Sequence, residues 1–247
     1  MKAAPEAQLR LLDLQELDTA LDRLTHRRRT LPELAEIAHA EERLGGFHDA
    51  LVAAQTEISD IDREQKKAEQ DVDQVRARAD RDQKRLDSGQ VSSARDLENL
   101  QSEIVSLQRR QADLEEIVLE VMERRENAEA RLSAVQADKE TGDTALTELT
   151  RRRDAAYREI DGEAELARAA RAEVVTDIPD DLLKLYQKLR EQNRGVAATA
   201  LLRAQCQGCH LQLNTVELNS IRAAAKDDVI RCEECRRILV RTRESGL

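Results

Sequence analysis

Three observations predict a mainly α protein, in which a long antiparallel coiled-coil hairpin leads into a small C-terminal module of short strands plus one helix. Apolar residues recur in alternating steps of three and four over 37–86 and again over 97–160, the 3.5-residue period of a coiled-coil seam. Of the 247 residues, 36% are charged and 1% aromatic, a makeup suited to solvated helices rather than to one large globular core. Four cysteines stand in two close pairs, at 206 and 209 and at 232 and 235.

The first element is a short seam of Leu14, Leu17, Leu21 and Leu24. Leu31-Pro32 interrupts it, because proline lacks an amide donor and disfavours helical geometry before it. The N-terminal helix is therefore kinked or separate near Pro32, and an antiparallel register sets it opposite residues near 153 to 170. The next seam runs from Ile37 through Leu51, Ile61 and Val72 to Leu86 and breaks only at Gln65 and Asp82. Gly45-Gly46 lies inside that frame without shifting it, a soft spot costing roughly 1 kcal/mol per glycine.

Residues 87–93, Asp-Ser-Gly-Gln-Val-Ser-Ser, supply a glycine for the hairpin tip and a serine N-cap for the returning arm. Asp96 and Glu98 follow in its first turn, where the helix dipole favours acids. Between Leu97 and Ile160, fourteen of nineteen seam positions are apolar, enough to hold one face against a partner throughout. Each arm of about 55 residues would reach on the order of 80 Å. Gln111, Arg125, Lys139 and Arg153 interrupt this seam at intervals of 14. Such polar positions either control register with snorkelled stems or mark a groove for a third helix.

The second arm fades between Gly162 and Val175. Thr176-Asp177-Ile178-Pro179 then opens a new helix with proline near its first position, an apolar stripe at Leu182, Leu185, Tyr186 and Leu189, and Gly195 as C-cap. The expected division is a hairpin over 1–175, a bracket helix over 176–195, and a terminal module over 196–247.

In that module the spacing is Cys206-x2-Cys209, twenty-two residues, then Cys232-x2-Cys235. Two residues between thiolates let a tight turn bring both sulfurs to one tetrahedral ion at about 2.3 Å. Two such turns fill four positions and leave none for water or substrate. The expectation is therefore one structural Zn²⁺ on Cys206, Cys209, Cys232 and Cys235, and not a hydrolytic centre. A redox pair would not need the second turn, and His210 follows Cys209 too closely to share its ion. Thr199 to Arg203 with Leu211-Gln212-Leu213 reads as a hairpin around the first turn. Asn214-Thr215-Val216-Glu217 reads as a capping box opening a helix, and 229–231 with 238–240 read as strands around the second turn. So small a module needs the metal for much of its folding free energy.

The segments Lys184-Leu185-Tyr186-Gln187-Lys188-Leu189-Arg190, Gly195-Val196-Ala197, Cys206-Gln207-Gly208-Cys209-His210, Cys235-Arg236-Arg237-Ile238-Leu239 and Ala94-Arg95-Asp96-Leu97-Glu98-Asn99-Leu100 resemble the bacterial coiled-coil/C4-type zinc-ribbon family. The resemblance implies a hairpin beside a zinc ribbon, with the four cysteines as ligands. It also implies a binding role, since flagellar members are associated with protein and RNA partners, although the flagellar role itself is not carried over. Two departures stand out: Arg236 replaces a family glycine and Val240 a family tyrosine. Arg236 is therefore expected to accept positive φ at a cost of order 1 kcal/mol.

Function follows by exclusion and by charge. No phosphate-binding glycine loop or readable nucleophile–base pair is present, so the chain is not expected to be an enzyme or to take a small-molecule substrate. Nor does any run of apolar residues approach the ~20 that span a bilayer, and the N-terminus lacks a signal-peptide run. This points to a cytoplasmic location, where thiols stay reduced. Two classes of partner remain open. One is protein, bound by an adaptor. The other is RNA or DNA, bound by Arg222, Arg231, Arg236, Arg237, Arg241 and Arg243 of the ribbon and by a basic belt at the hairpin base, Arg27, Arg28 and Arg29 beside Arg151, Arg152 and Arg153. A net charge of −10 opposes wrapping of nucleic acid by the whole chain. Acids near the belt, such as Asp22 and Asp154, offer it the simpler role of paired seam flanks.

Overall fold

The computed structural model describes every residue except Gln90 and Ser92; those two positions of the expected tip lie outside the described residues. In chain order the elements are α1 (Pro5–Arg29), α2 (Pro32–Asp87), α3 (Ala94–Thr176), α4 (Asp180–Gln192), β1 (Ala198–Leu202), β2 (Gln205–Cys206), α5 (Thr215–Ala223) and β3 (Ile238–Arg241). They form two compact units. One holds residues 36–149, and the other joins residues 1–35 to 150–247.

Within residues 36–149, α2 and α3 run antiparallel. Every buried residue described there falls on the expected steps: Ile37, Ala40, Ile61, Ala68 and Val72 on α2, and Leu100, Ile104, Leu114, Val121 and Ala128 on α3. Arg125 reaches Asp62 at 2.7 Å, Arg124 reaches Glu64 at 3.0 Å and Arg131 reaches Glu57 at 2.6 Å. These exposed pairs stabilise little, but like charges at the same places would oppose the register. α2 runs unbroken through Gly45-Gly46. Gly142 has a packing reason: a Cβ there would lie 2.9 Å from the Leu44 side chain, so its absence lets the arms close over Leu44 and Phe47. The polar seam positions in this unit are already paired. Gln111 donates to Glu115 at 2.8 Å, Arg125 is held by Asp62 and by Glu129 at 3.0 Å, and Lys139 by Asp143 at 2.6 Å. This favours register control over a groove awaiting a third helix.

In the other unit, α1 ends at Arg29 and α2 begins on Pro32, so the proline opens a helix rather than bending one. α1 runs antiparallel to the end of α3. Arg28 pairs with Asp161 at 3.0 Å, Arg27 with Glu159 at 3.0 Å, and Arg10 with Asp177, just past the helix, at 3.2 Å. Its buried face differs from the expected seam. Ala7, Gln8, Leu11, Leu14, Gln15 and Asp18 are buried, whereas Leu17, Leu21 and Leu24 are only half-buried. The stripe is wider than a coiled-coil seam because α1 must also cover α4 and the sheet. Ala3, Ala7, Leu11 and Leu14 share one core with Ile178, Leu182, Tyr186, Leu189, Ala197, Ala198, Ile238 and Val240.

A polar network lies inside this core. Asp18, 3% exposed, accepts from the Tyr186 hydroxyl at 2.8 Å and from Arg171 Nε at 2.7 Å, with Arg190 Nε 3.4 Å away. Gln15 bridges onward, accepting from the Ala197 amide at 2.7 Å and donating to the Gly195 carbonyl at 2.8 Å. A buried carboxylate is tolerable only when paired in this way. Burial, reinforced by Asp18, raises the pKa of the Tyr186 hydroxyl and keeps it a donor.

The sheet has the order β2-β1-β3, with β1 antiparallel to β2 and parallel to β3. This corrects the expected pairing: β1 turns through Arg203-Ala204 straight into Gln205–Cys206, and residues 211–213 contribute only a bridge at Gln212. The 229–231 segment likewise makes a single bridge, Arg231 with Ile238. α4, Asp180–Gln192, is shorter at both ends than the expected bracket helix over 176–195, and Pro179 is its N-cap. At its other end Asn193, not Gly195, occupies the C-cap.

Removing the carboxylate with Asp18→Ala is expected to cost about 3 kcal/mol, the low end for breaking a buried pair, because it strands a buried hydroxyl and the half-buried Arg171 while Arg190 keeps Asp22. Tyr186→Phe, which deletes one hydrogen bond, is expected to cost about 1 kcal/mol. Denaturant titration of the two variants checks the order and the gap.

Candidate metal centre

Each cysteine pair sits on a tight turn built in the same way. In the first, the His210 amide donates to the Cys206 carbonyl at 2.8 Å, and His210 has φ 58°. In the second, the Arg236 amide donates to the Cys232 carbonyl at 2.9 Å, and Arg236 has φ 62°. The residue after each pair thus bends into the left-handed region, as expected for Arg236, and carries the chain away from the sulfurs. α5 lies between the turns, closed at its start by the expected capping box: the Asn214 side chain accepts from the Glu217 amide at 2.9 Å, and Glu217 accepts from the Asn214 amide at 2.8 Å.

The four sulfur atoms all lie within 4.8 Å of one another. Cys206 Sγ is 3.8 Å from Cys235 Sγ, and Cys209 Sγ is 3.9 Å from Cys232 Sγ. A tetrahedron of four sulfurs at about 2.3 Å from one ion has edges of about 3.8 Å, so the set fits a single metal ion. A disulfide would need sulfurs near 2.0 Å, and all four cysteines are free. Leu201, Ile221 and Leu239 close over the cluster, with Leu213 and Ile230 against them.

Burial pushes the Cys206 thiol up to about 12, against the pull of the Cys209 and Gly208 backbone. Burial also raises Cys232, against the backbone of Cys235 and Glu234. At Cys235 burial again opposes ionisation, but it is outweighed by the backbone and side chain of Arg237 and by the neighbouring thiols, so this thiol is lowered. A cation at the centre is therefore needed to hold all four as thiolates at neutral pH.

The arginines proposed from sequence as contacts divide into several groups. The Arg237 side chain turns inward and donates to the Val196 carbonyl at 3.0 Å and to the Gly208 carbonyl at 3.0 Å. A Cβ on Gly208 would come within 2.8 Å of Arg237 Cδ, so that glycine makes room for the clamp. Arg241 caps the chain after α5, donating to the carbonyls of Ala225, Lys226 and Asp228 at 2.8–2.9 Å. Arg222 donates to the Gly246 carbonyl at 3.2 Å and Arg231 to the Arg236 carbonyl at 2.9 Å. Arg236 and Arg243 are exposed. At the proposed belt, Arg27 is paired with Glu159 and Glu163, and Arg28 with Asp161. Arg28 also lies 4.1 Å over the Tyr157 ring, with Arg153 at 6.0 Å. Arg29, Arg151 and Arg152 are exposed, the latter two with interactions of their own. Sequence reasoning missed Arg237 and Arg241 as structural donors, because nothing in an arginine's neighbours shows that its fork points at carbonyls. It also missed Gln15 and Asp18, whose only signal was their i, i+3 spacing on the side of Leu11 and Leu14.

Comparison with known proteins gives a consistent result. The family described as the CT398-like coiled coil hairpin domain matches residues 14–194, and the C4-type zinc ribbon domain matches residues 205–239. An uncharacterized protein of Mycobacterium tuberculosis is 35% identical over 241 residues, covering 98% of both chains. A solved structure from Mycobacterium smegmatis is 38% identical with a TM-score of 0.83, covering 98% of this chain and 100% of that one. The structure of CT398 from Chlamydia trachomatis is 18% identical with a TM-score of 0.69, covering 96% and 98%, a likeness of fold.

Because Cys206 and Cys232 are raised, a metal entering the cluster must displace at least their two protons. Zinc affinity is therefore expected to fall by about a hundredfold or more for each pH unit of acidification below 8. Competition with a chelator of known affinity at several pH values checks the slope; a slope clearly below two protons would contradict it.

Proposed function

We propose, from the premise that this chain belongs to the family of CT398-like coiled-coil hairpin proteins carrying a C4-type zinc ribbon, that it is a non-catalytic cytoplasmic adaptor for a protein partner. In this reading Cys206, Cys209, Cys232 and Cys235 hold one structural Zn²⁺. Four sulfurs close the coordination shell and leave no position for a substrate. Among the described residues, no helix is long and apolar enough to cross a membrane.

The observation that carries the protein reading is on α3. Leu119 and Met122 stand 64% and 43% exposed, three residues apart and so neighbours on one side of the helix, with Val105, 48% exposed, about 21 Å earlier along it. Apolar side chains grouped on a charged helix suit a protein surface and do nothing for a phosphate backbone. The nucleic-acid reading is weaker, because Arg237, Arg241, Arg27 and Arg28 already spend their guanidiniums within the protein.

Capture on the tagged full-length protein, before and after nuclease treatment, tests this reading. Protein partners are expected to survive nuclease and to be depleted by Leu119→Glu with Met122→Glu, which alters only exposed positions. Loss of all partners on nuclease treatment would favour RNA or DNA instead.

A further inference from the structure

One furrow of the ribbon-bearing unit is unused by the metal centre. It consists of three adjoining hollows of 450, 350 and 570 Å³ along α1. The first two share Thr19 and Arg23, and the second and third share Asp22, Arg194 and Gly195. α1 forms one wall, and the other runs from the end of α4 through Gly195 and Val196 to β1.

Two arginines meet in the middle hollow, Arg23 from α1 and Arg194 from the chain after α4. Both are exposed, and neither guanidinium is engaged by any described residue. Most other cations of the furrow are spent: Arg27 on Glu159, Arg171 on Asp18, Arg190 on Asp22 at 2.6 Å. The last pair neutralises the one acid of the middle hollow, while Glu16 and Glu191 stand toward the two ends. A concentration of free positive charge on a chain of net charge −10 is a site for an anion.

The backbone at Arg194 adds a second, independent observation. α4 ends with the Gly195 amide donating to the Arg190 carbonyl at 2.9 Å, the wrap of a Schellman cap, and Arg194 occupies its left-handed position with φ 55°. Glycine is the residue that fits that seat without strain. An arginine held there sacrifices stability and sets its guanidinium over the furrow, the kind of local strain that clusters at binding sites.

We infer that this furrow binds an acidic segment of a protein partner, its carboxylates paired with Arg23 and Arg194. The inference rests on the adaptor reading and gives that partner a chemistry. Length agrees: the stretch of α1 from Leu12 to Arg27 spans about 22 Å, the reach of an extended peptide of about six or seven residues. RNA fits less well, because bound single strands stack their bases on aromatic rings, and none lines the furrow. Tyr186 is buried in the core, Tyr157 lies against Arg28, and Phe47 belongs to the hairpin.

The test titrates the zinc-loaded full-length protein into a fluorescein-labelled octaglutamate peptide and, separately, into a labelled oligouridylate, reading anisotropy. Octaglutamate is expected to bind, and Arg23→Gln with Arg194→Gly is expected to weaken it by about tenfold or more. Arg203→Gln with Arg243→Gln, the same loss of charge at exposed ribbon positions, is expected to change it by less than about twofold. Because Arg194→Gly relieves a left-handed residue, a melting temperature no lower than that of the parent is expected for it, which separates lost binding from lost folding. The inference is overturned if octaglutamate does not bind, if both double variants weaken it equally, or if oligouridylate alone binds and is lost in the furrow variant. A nuclease-resistant partner captured equally well by parent and furrow variant would remove the furrow while leaving the adaptor reading in place.

Discussion

A sheet of three short strands, one of them only two residues long, cannot cover either of its own faces, and the ribbon-bearing unit is organised around that constraint. Along β3, Ile238 and Val240 turn into the core made by α1 and α4, while Leu239 turns into the core made by the cysteines. On β1, Ala198 and Leu201 divide in the same way. Alternation along a strand normally sorts apolar from polar. Here it sorts two apolar surroundings from each other, which is why Ile-Leu-Val runs without a polar break.

This arrangement couples the metal site to the helices without any long-range device. Arg237 follows the second cysteine turn by two residues, and its guanidinium holds the carbonyls of Gly208 on the first turn and Val196 ahead of β1. Gln15 on α1 ties down Gly195 and Ala197 on the same approach. Among the described residues, the non-glycine residues with positive φ are Arg194, Arg203, Ala204, His210 and Arg236, all beyond α4. Left-handed backbone costs roughly 1–2 kcal/mol per residue, and the unit tolerates it because the sheet is clamped on one face by α1 and closed on the other by the core that Leu201, Ile221 and Leu239 form with the cysteines.

The parts legible in the sequence were those set by local periodicity or by fixed spacing. The two long seams, the break at Leu31-Pro32 and the capping box at Asn214 follow from neighbours within a few residues, whereas the left-handed turn at Arg236 was implied by the family resemblance, in which glycine holds that position. The four cysteines converge as their spacing implied, since two short turns leave few ways to arrange four thiols. The parallel pairing of β1 with β3 was not legible, because the strands are separated by both cysteine turns and α5, and no short-range signal distinguishes it from a hairpin. Gln15 and Asp18 on α1 were read past for a related reason. A polar residue at a buried position makes sense only once Tyr186, Arg171 and the Ala197 amide are known to surround it. The arginines were misjudged in the opposite sense, since counting them by charge ignored that Arg237 and Arg241 spend theirs on backbone carbonyls.

The claim that the sheet is held independently from its two sides is tested most directly by hydrogen exchange with and without a zinc chelator. The account predicts that amides of the two cysteine turns, 205–213 and 230–237, lose protection on chelation. Those linking β1 to β3 should stay protected along with α1 and α4, because their other face remains packed. Simultaneous loss of protection across the whole of 196–247 would contradict it and return the ribbon to a module that stands or falls on its metal alone.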